Sequence, residues 1–411
     1  MTRTPPSEAE GNPGLTETER KFVRDHIQDD VATLLLKNRS SPDLDLPRVV
    51  KQIAARQKAR YKLPEWYRNE QLLFPPPLSV EQGSSQATAL YKAGLVAGNH
   101  LVDITGGMGV DCYYMSRSFE YTTYFEQQTE VAQSAGYNFK VLGADRISVR
   151  NEEAIKALRQ QPLRADCIYA DPARRDQQQR KVVRLADCTP DIVTALPILL
   201  QSSPQVLIKT SPLLDIDLSM KELPGVKEVH IVGLENECKE VLYLISTDGA
   251  PGPEPVLKVR ILNDKGSPVA GLDFTRTEEA RAEVHYGEPL RYLYEPQAAL
   301  LKAGAFRSIA SRFNLTKLAP NSHLYTSDRW LPEFPGRGFS VIDVCRPDAR
   351  DLRAHLPEGK ANISLRNFPA QVSELRKKWK IKEGGNRYLF ATTLFDGRKV
   401  VVVTEKSSLT E

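Results

Sequence analysis

The sequence has few cysteines, little net charge and no long apolar run. Its five cysteines, Cys112, Cys167, Cys188, Cys238 and Cys345, stand far apart with no Cys-x-x-Cys pair. An odd, scattered set argues against a disulfide framework and against a zinc site, so no metal is expected. No stretch of about 18 apolar residues occurs, which excludes a membrane-spanning helix. The first twenty residues, MTRTPPSEAEGNPGLTETER, lack the charged-then-apolar order of a secretion signal, so a cytoplasmic location is expected. Disorder is excluded too: 41% of the 411 residues are hydrophobic, too many for a chain that stays unfolded. At about 150 residues per domain the length allows two to four domains.

The net charge of +4 is unevenly spread. From Arg48 to Arg68 seven Lys and Arg face Glu65 alone, a local balance of +6. From Arg346 to Lys382 ten basic residues face four acidic ones, again +6. Clustered positive charge is what polyphosphate recognition needs. Solvated helix faces carry the same pattern, so charge alone leaves both readings open.

Residues 1–14 are rich in Pro, Gly, Ser and Glu and read as a frayed tail. From Thr16 to Glu70, KFVRDHIQDDVATLLL and RVVKQIAARQKARYKL place apolar residues at helical spacing. Phe74-Pro75-Pro76-Pro77 then marks a connector. Beyond it the spacing predicts a helix over Ser84–Ala97 and strands at His100–Ile104, Tyr121–Phe125, Ile147–Arg150, Asp166–Ala170 and Gln205–Lys209, alternating with helices. Such alternation implies a parallel sheet covered on both faces. Val226–Gly233 and Glu240–Ser246 follow as strands six residues apart, a link that suits a hairpin and cannot hold a crossover helix. A Pro/Gly linker, Gly249–Pro253, bounds this region. VLKVRIL then reads as a strand and PQAALLKAGAFRSIASRF as helical. A second boundary falls near Pro332–Gly338, and the tail from Phe339 reads βαβαββ.

The chemistry concentrates at Val102–Asp111, VDITGGMGVD. A strand ends at Ile104, Thr105-Gly106-Gly107-Met108-Gly109 turns the chain, and a helix follows. Glycines let a backbone approach a ligand closely. The nicotinamide fingerprint is absent, because its third glycine position, read from Gly107, holds Cys112. At the end of the second strand Glu126 stands 17 residues beyond Gly109, where a carboxylate can accept both hydrogen bonds of a ribose diol. The fourth strand ends in Asp171-Pro172-Ala173-Arg174-Arg175, and ligands of open parallel sheets bind beyond the carboxyl ends of the strands.

The acidic Asp103 before a Gly-rich turn resembles the S-adenosylmethionine loop, with Thr105 in place of the usual first glycine. Asp171-Pro172-Ala173-Arg174 resembles motif IV of class I methyltransferases, with Arg174 replacing the aromatic that stacks a base. Together with VEQGSSQATALYKA at Val80–Ala93 and the basic tail, the whole chain resembles bacterial class I S-adenosylmethionine-dependent methyltransferases with a C-terminal THUMP-like domain. The resemblance implies an α/β fold with a Rossmann-like seven-stranded core, a helical N-terminal region and small α+β C-terminal modules. It divides the chain into residues 1–78 (helical), 79–248 (methyltransferase), 254–334 (ferredoxin-like) and 338–407 (THUMP-like).

The implied cofactor is S-adenosylmethionine, held by Asp103, Thr105, Gly106, Gly107, Gly109, Glu126, Asn151 and Asp171, with Asn151 sharing its place with Glu152 and Glu153. Asp171, Arg174 and Lys209 are the implied catalytic residues. The implied partner is RNA, tRNA or rRNA, bound by Arg174, Arg376, Lys377 and Lys380. Arg56, Lys58, Arg60 and Lys62 are expected to form a second basic jaw. Pyrimidine C5 methylation is disfavoured, since no cysteine follows the fifth strand. The order Lys92, Asp171, Lys209, Glu240 resembles the tetrad of 2′-O-ribose methyltransferases. The plainer reading is preferred: Lys92 on a solvated helix face and Glu240 merely opening a strand. Two alternatives stand beside RNA methylation: a protein or metabolite acceptor, and a non-catalytic RNA-binding protein.

Overall fold

The computed structural model describes residues 13–37, 44–174, 184–248 and 252–407. Residues 1–12 of the tail, Arg175, and Gly249, Ala250 and Pro251 of the linker lie outside them. The chain forms two compact units, one of residues 1–225, 243–250 and 263–267, the other of the remainder.

In the first unit, short apolar runs become strands β1 (Gly98–Asp103), β2 (Phe119–Phe125), β3 (Ile147–Arg150), β4 (Cys167–Ala170) and β5 (Gln205–Thr210). Their order is β5-β4-β1-β2-β3, every neighbouring pair parallel. All four residues of β4 are buried, as expected for a strand covered on both faces. The chain order reverses between β1 and β4, and such a switch point opens a crevice at the carboxyl ends of the strands.

The hairpin is tighter than its sequence suggests. β6 (Val226–Leu234) and β7 (Glu237–Ser246) are joined by Glu235 and Asn236 alone, with Glu235 at φ 55°. The hairpin belongs to the second unit as far as Leu242, and the rest of β7, from Tyr243, belongs to the first.

The helical leader belongs to the first unit. Helix α1 (Leu46–Lys62) buries Ala55 and Ala59 in a core with Trp66, Val80 and Tyr114. Side-chain amides clamp the proline connector: Gln52 bonds both backbone groups of Phe74, and Asn138 both of Leu73. Helix α2 (Gln86–Ala93) is shorter than expected, capped by Ser85 and ended at Gly94.

The expected second basic jaw loses Arg56 to the interior. Arg56 is 3% exposed, and its guanidinium donates to the carbonyls of Tyr67, Asn69, Glu70 and Leu72. Burial pulls its pKa down to about 10. Lys58 pairs with Glu81 at 2.7 Å, Lys62 donates to the Glu81 carbonyl, and Arg60 donates to Gln28. Arg56 thus staples the leader, while Lys58 and Arg60 remain exposed.

In the second unit, β8 (Val256–Leu262) departs from its expected place at the head of a ferredoxin-like module. It runs parallel to β6 and pairs antiparallel with β9 (Pro268–Phe274), which adds two strands beyond the expected seven. Leu257, Val259 and Leu262 of β8 are buried, and the pairing covers an edge that β6 would otherwise expose.

A separate eight-stranded sheet comprises β10 (Tyr292–Pro296), β11 (Tyr325–Ser327), β12 (Gly336–Cys345), β13 (Asn362–Arg366), β14 (Arg387–Thr393) and β15 (Lys399–Lys406), with the two-residue strands His285–Tyr286 and Thr316–Lys317. The run PQAALLKAGAFRSIASRF forms two short helices, Ala298–Ala303 and Ser308–Arg312, because Gly304 turns left-handed after the first.

The tail follows its expected βαβαββ order through helices α3 (Ala349–Arg353) and α4 (Val372–Trp379). Leu375 and Trp379 share the buried face of α4, packed with Leu352, Leu389 and Val401. Only part of the expected basic face follows. Lys377 is exposed, but Arg376 donates to the Ala361 carbonyl at 3.2 Å, and Lys380 sits past the helix end at φ 58°.

Arg56→Lys is expected to destabilise the protein by about 3 kcal/mol, because one ammonium cannot serve four buried carbonyls. Urea unfolding measures the loss, and an unchanged midpoint would return Arg56 to the surface.

Candidate functional site

The site is built from the loop after β1. Asp103 is buried, and its Oδ1 accepts from the Thr105 N–H at 3.0 Å, the Gly106 N–H at 3.1 Å and the Thr105 hydroxyl at 3.3 Å. Thr105 Oγ1 in turn accepts the Asp171 N–H at 2.8 Å. The threonine that replaces the usual glycine thus ties the loop after β1 to the loop after β4, which no glycine could do.

The glycines divide their work. At Gly106, φ 38°, a Cβ would lie 2.5 Å from the Phe125 carbonyl oxygen, so the loop packs directly on the end of β2. At Gly109 it would lie 2.6 Å from the Phe139 ring. At Gly107, φ 66°, it would meet nothing nearer than 3.9 Å and would point into open space.

Glu126, at the end of β2, is also buried. Its Oε2 accepts the Gly107 N–H at 2.9 Å and its Oε1 the Gln128 N–H at 2.7 Å. Each carboxylate oxygen has a further lone pair for a ligand hydroxyl. After β3 three polar residues compete in sequence, and the structure separates them. Glu153 caps the next helix through Ile155 and Lys156, and Glu152 pairs with Arg150 at 2.6 Å. Asn151 donates to the Glu126 carbonyl at 2.8 Å and accepts from Thr129 at 2.9 Å.

Asp171 follows β4 with its side chain about a third exposed, and Lys209 at the end of β5 donates to its Oδ2. Arg174 lies in a two-residue strand, Ala173–Arg174, paired with Cys188–Thr189; its side chain is outside the described residues.

Sequence reasoning missed the cluster beneath the loop. Lys92 is fully buried, which corrects its reading as a solvated helix residue. Its Nζ lies 3.2 Å from Asp111 Oδ1 and donates to Ser84 Oγ at 3.2 Å. Asp111 Oδ2 accepts from Ser84 and from the Tyr169 hydroxyl, both at 2.7 Å. Burial alone would raise the Asp111 pKa, but Lys92, Lys209 and these hydroxyls hold it below the ordinary carboxylate range. Glu240 is 2% exposed, so it too is no mere surface residue at a strand opening. The available signal was Ser84 and Lys92 within one short segment that ends at β1.

Residues 292–335 match a family described as a ferredoxin-like domain, and residues 336–406 one described as THUMP domain-like. A protein of Porphyromonas gingivalis W83, whose crystal structure is described as that of a candidate methyltransferase, is 32% identical. The match covers 95% of this chain and 98% of that one, with a TM-score of 0.82. A Mycobacterium tuberculosis H37Rv protein, described as an uncharacterized S-adenosylmethionine-dependent methyltransferase, is 23% identical over 82% of this chain and 89% of its own.

Burial pushes the Asp103 carboxyl up to about 8, with the Asp111 charge adding to the rise and the N–H bonds of Thr105 and Gly106 opposing it. All three bonds fall on Oδ1, which leaves Oδ2 to carry the proton. A carboxyl whose pKa rises on folding stabilises fully below about pH 4, and that contribution is lost as pH rises through about 8. Asp103→Asn keeps the Oδ1 acceptor and is expected to flatten the decline. Urea unfolding of both proteins across this range is the measurement, and parallel stability curves would count against a neutral Asp103.

Proposed function

Because the chain belongs to the class I S-adenosylmethionine-dependent methyltransferases that carry a THUMP-like C-terminal domain, we propose that it methylates RNA. The match at residues 336–406 carries the RNA assignment, since THUMP domains accompany RNA-modifying enzymes. The division of labour proposed for the chain is a leader over 1–78, a catalytic domain over 79–248, a ferredoxin-like module cut back from 254–334 to 292–335, and an RNA-directed tail over 338–407. Lys377 and Lys380, both exposed, are the tail residues offered to phosphate, while Arg376 braces the fold.

The donor set fits an adenosine cofactor. Gly107 leaves a cradle that a side chain would fill, and Glu126 borders the same loop with acceptor capacity to spare. In this reading Glu126 accepts from the ribose diol and Asn151 recognises the adenine. Thr105, Gly106 and Gly109 hold the loop in shape, and Asp103 fixes it from below. S-adenosylmethionine, when bound, supplies an electrophilic methyl group. The side chain of Asp171 orients the acceptor toward that methyl, and its position is set from both sides, by Thr105 at its N–H and by Lys209 at its carboxylate. Lys209 balances the Asp171 charge, and Arg174 is assigned to acceptor phosphate or base.

Glu126→Ala removes a charged acceptor pair and is expected to weaken S-adenosylhomocysteine binding about ten- to hundredfold. Gly107→Val should weaken it by filling the cradle, beyond the ~1–2 kcal/mol that φ 66° imposes on a side chain. Calorimetry on the folded variants decides, and unchanged affinity in both would defeat the cofactor site.

For catalysis, Asp171→Ala is expected to abolish methyl transfer while cofactor affinity stays within a few-fold. Nucleoside mass spectrometry of RNA from cells with and without the gene supplies the readout. One methylated nucleoside should vanish, returning with the wild-type gene but not with Asp171→Ala. An unchanged nucleoside profile, with turnover on a protein or metabolite instead, would replace RNA as the acceptor.

A further inference from the structure

The tail brings together three different metal-ligating side chains that the methyl-transfer reading does not use. Asp343 and Cys345 lie two apart on β12, and His355 lies just beyond α3. Their donor atoms are all within 4.8 Å of one another. His355 Nε2 is 3.0 Å from Asp343 Oδ2, and Cys345 Sγ is 3.8 Å from the same oxygen.

Local structure aims each of the three. The pairing of β12 with β15 shifts register between Val341 and Asp343, and a bulge of this kind re-aims the residues that follow it. Beyond it, Asp343 and Cys345 oppose Val403 and Val401 on one face. The Val344 N–H engages Asp343 Oδ1 at 2.8 Å, which turns Oδ2 toward the other two groups. Leu352 and Leu356, both buried in the tail core, flank His355 in sequence and fix its backbone. The cluster is graded in exposure: Cys345 is buried, His355 half-buried and Asp343 exposed. One side is therefore closed by protein, and the other admits a water ligand.

We infer that Asp343, Cys345 and His355 form a binding site for a single divalent transition-metal ion, with zinc the best fit. One thiolate, one imidazole and one carboxylate are the donors zinc takes, and a water completes the tetrahedron. With bonds of about 2.0–2.3 Å, the corners of that tetrahedron fall roughly 3.3–3.6 Å apart, so the observed separations need only small side-chain adjustments. As the sulfur–metal bond forms, the Cys345 thiol releases its proton to solvent, and the metal's charge replaces it. Calcium and magnesium are disfavoured, because both select oxygen donors. The bound ion would lock the β12–α3 connection to the sheet. Sequence spacing concealed the site, because Asp-x-Cys followed ten residues later by His lacks the paired cysteines of familiar zinc motifs.

The test uses the untagged full-length protein with Zn(II) and Co(II). Wild type is expected to bind one Zn(II) per chain and to raise its melting temperature by several degrees at saturating metal. Co(II) should give tetrahedral visible absorption with a thiolate charge-transfer band. Cys345→Ser should abolish that band, whereas Cys238→Ser should leave it. His355→Ala, at a half-buried position, should weaken Zn(II) at least tenfold and thereby keeps the test valid if Cys345→Ser fails to fold. Absence of stoichiometric Zn(II) binding by wild type would overturn the site, as would affinity unchanged in His355→Ala. Neither result bears on methyl transfer, whose failure the nucleoside profile reads separately.

Discussion

The site hangs on one buried oxygen. Asp103 Oδ1 gathers three hydrogen bonds at the end of β1, and one of its donors, the Thr105 hydroxyl, also receives the Asp171 backbone. Two loops from different strands therefore share one anchor. At about 1 kcal/mol net per bond, the anchor is worth a few kcal/mol, enough to select one loop conformation over its competitors. Glu126 adds a second constraint from β2 through Gly107. The loop is consequently shaped before any ligand arrives, which reduces the ordering cost that binding would otherwise carry.

Below that loop the protein accepts an expensive arrangement. Lys92 is fully buried against Asp111, with Ser84 and Tyr169 completing the polar contacts. Buried ion pairs often contribute less stability than apolar residues of the same volume, so stability alone is a weak reason to keep one. Geometry supplies a better reason. The cluster joins the segment before β1, the helix after the Gly loop and strand β4. A displacement of any one is felt by the others. Breaking one partner would leave an uncompensated charge inside the sheet, so the network also enforces a single register of these elements.

Much of the fold was legible in the sequence, because its strands are short apolar runs between turn signals. Ile147–Arg150 matches β3 to the residue, and the tail's βαβαββ order stands as read. Legibility failed where a local pattern meets a tertiary decision. Val256–Leu262 reads correctly as a strand, but nothing in its residues says that it pairs with β6 instead of opening a new module. The Gly304 break inside an apolar helical run was visible, yet a glycine within a helix and one that ends it look alike. At the site, the residue types of the Gly loop, Glu126 and Asp171 were readable because each follows a strand. Lys92 was not, since burial of a lysine depends on partners distant in sequence.

The same limit governs the reading of charge. Two runs with a balance of +6 suggested two phosphate-binding surfaces, and attraction to phosphate depends on cations that release condensed counterions. Arg56 spends its guanidinium on four backbone carbonyls, and Arg376 donates to Ala361. Both are engaged inside the fold, although both count fully in a sequence tally. Other cations of both runs remain exposed, among them Lys58 and Arg60 in the leader and Lys377, Lys378 and Lys380 in the tail, the last three following one another around the end of α4. Lys380 reaches its place only by taking a left-handed conformation at φ 58°, which costs a non-glycine residue about 1–2 kcal/mol. A glycine would end the helix without that strain but would carry no charge. A lysine there offsets part of that strain by placing positive charge at the helix C-terminus, where the macrodipole favours it, and leaves a cation in solvent.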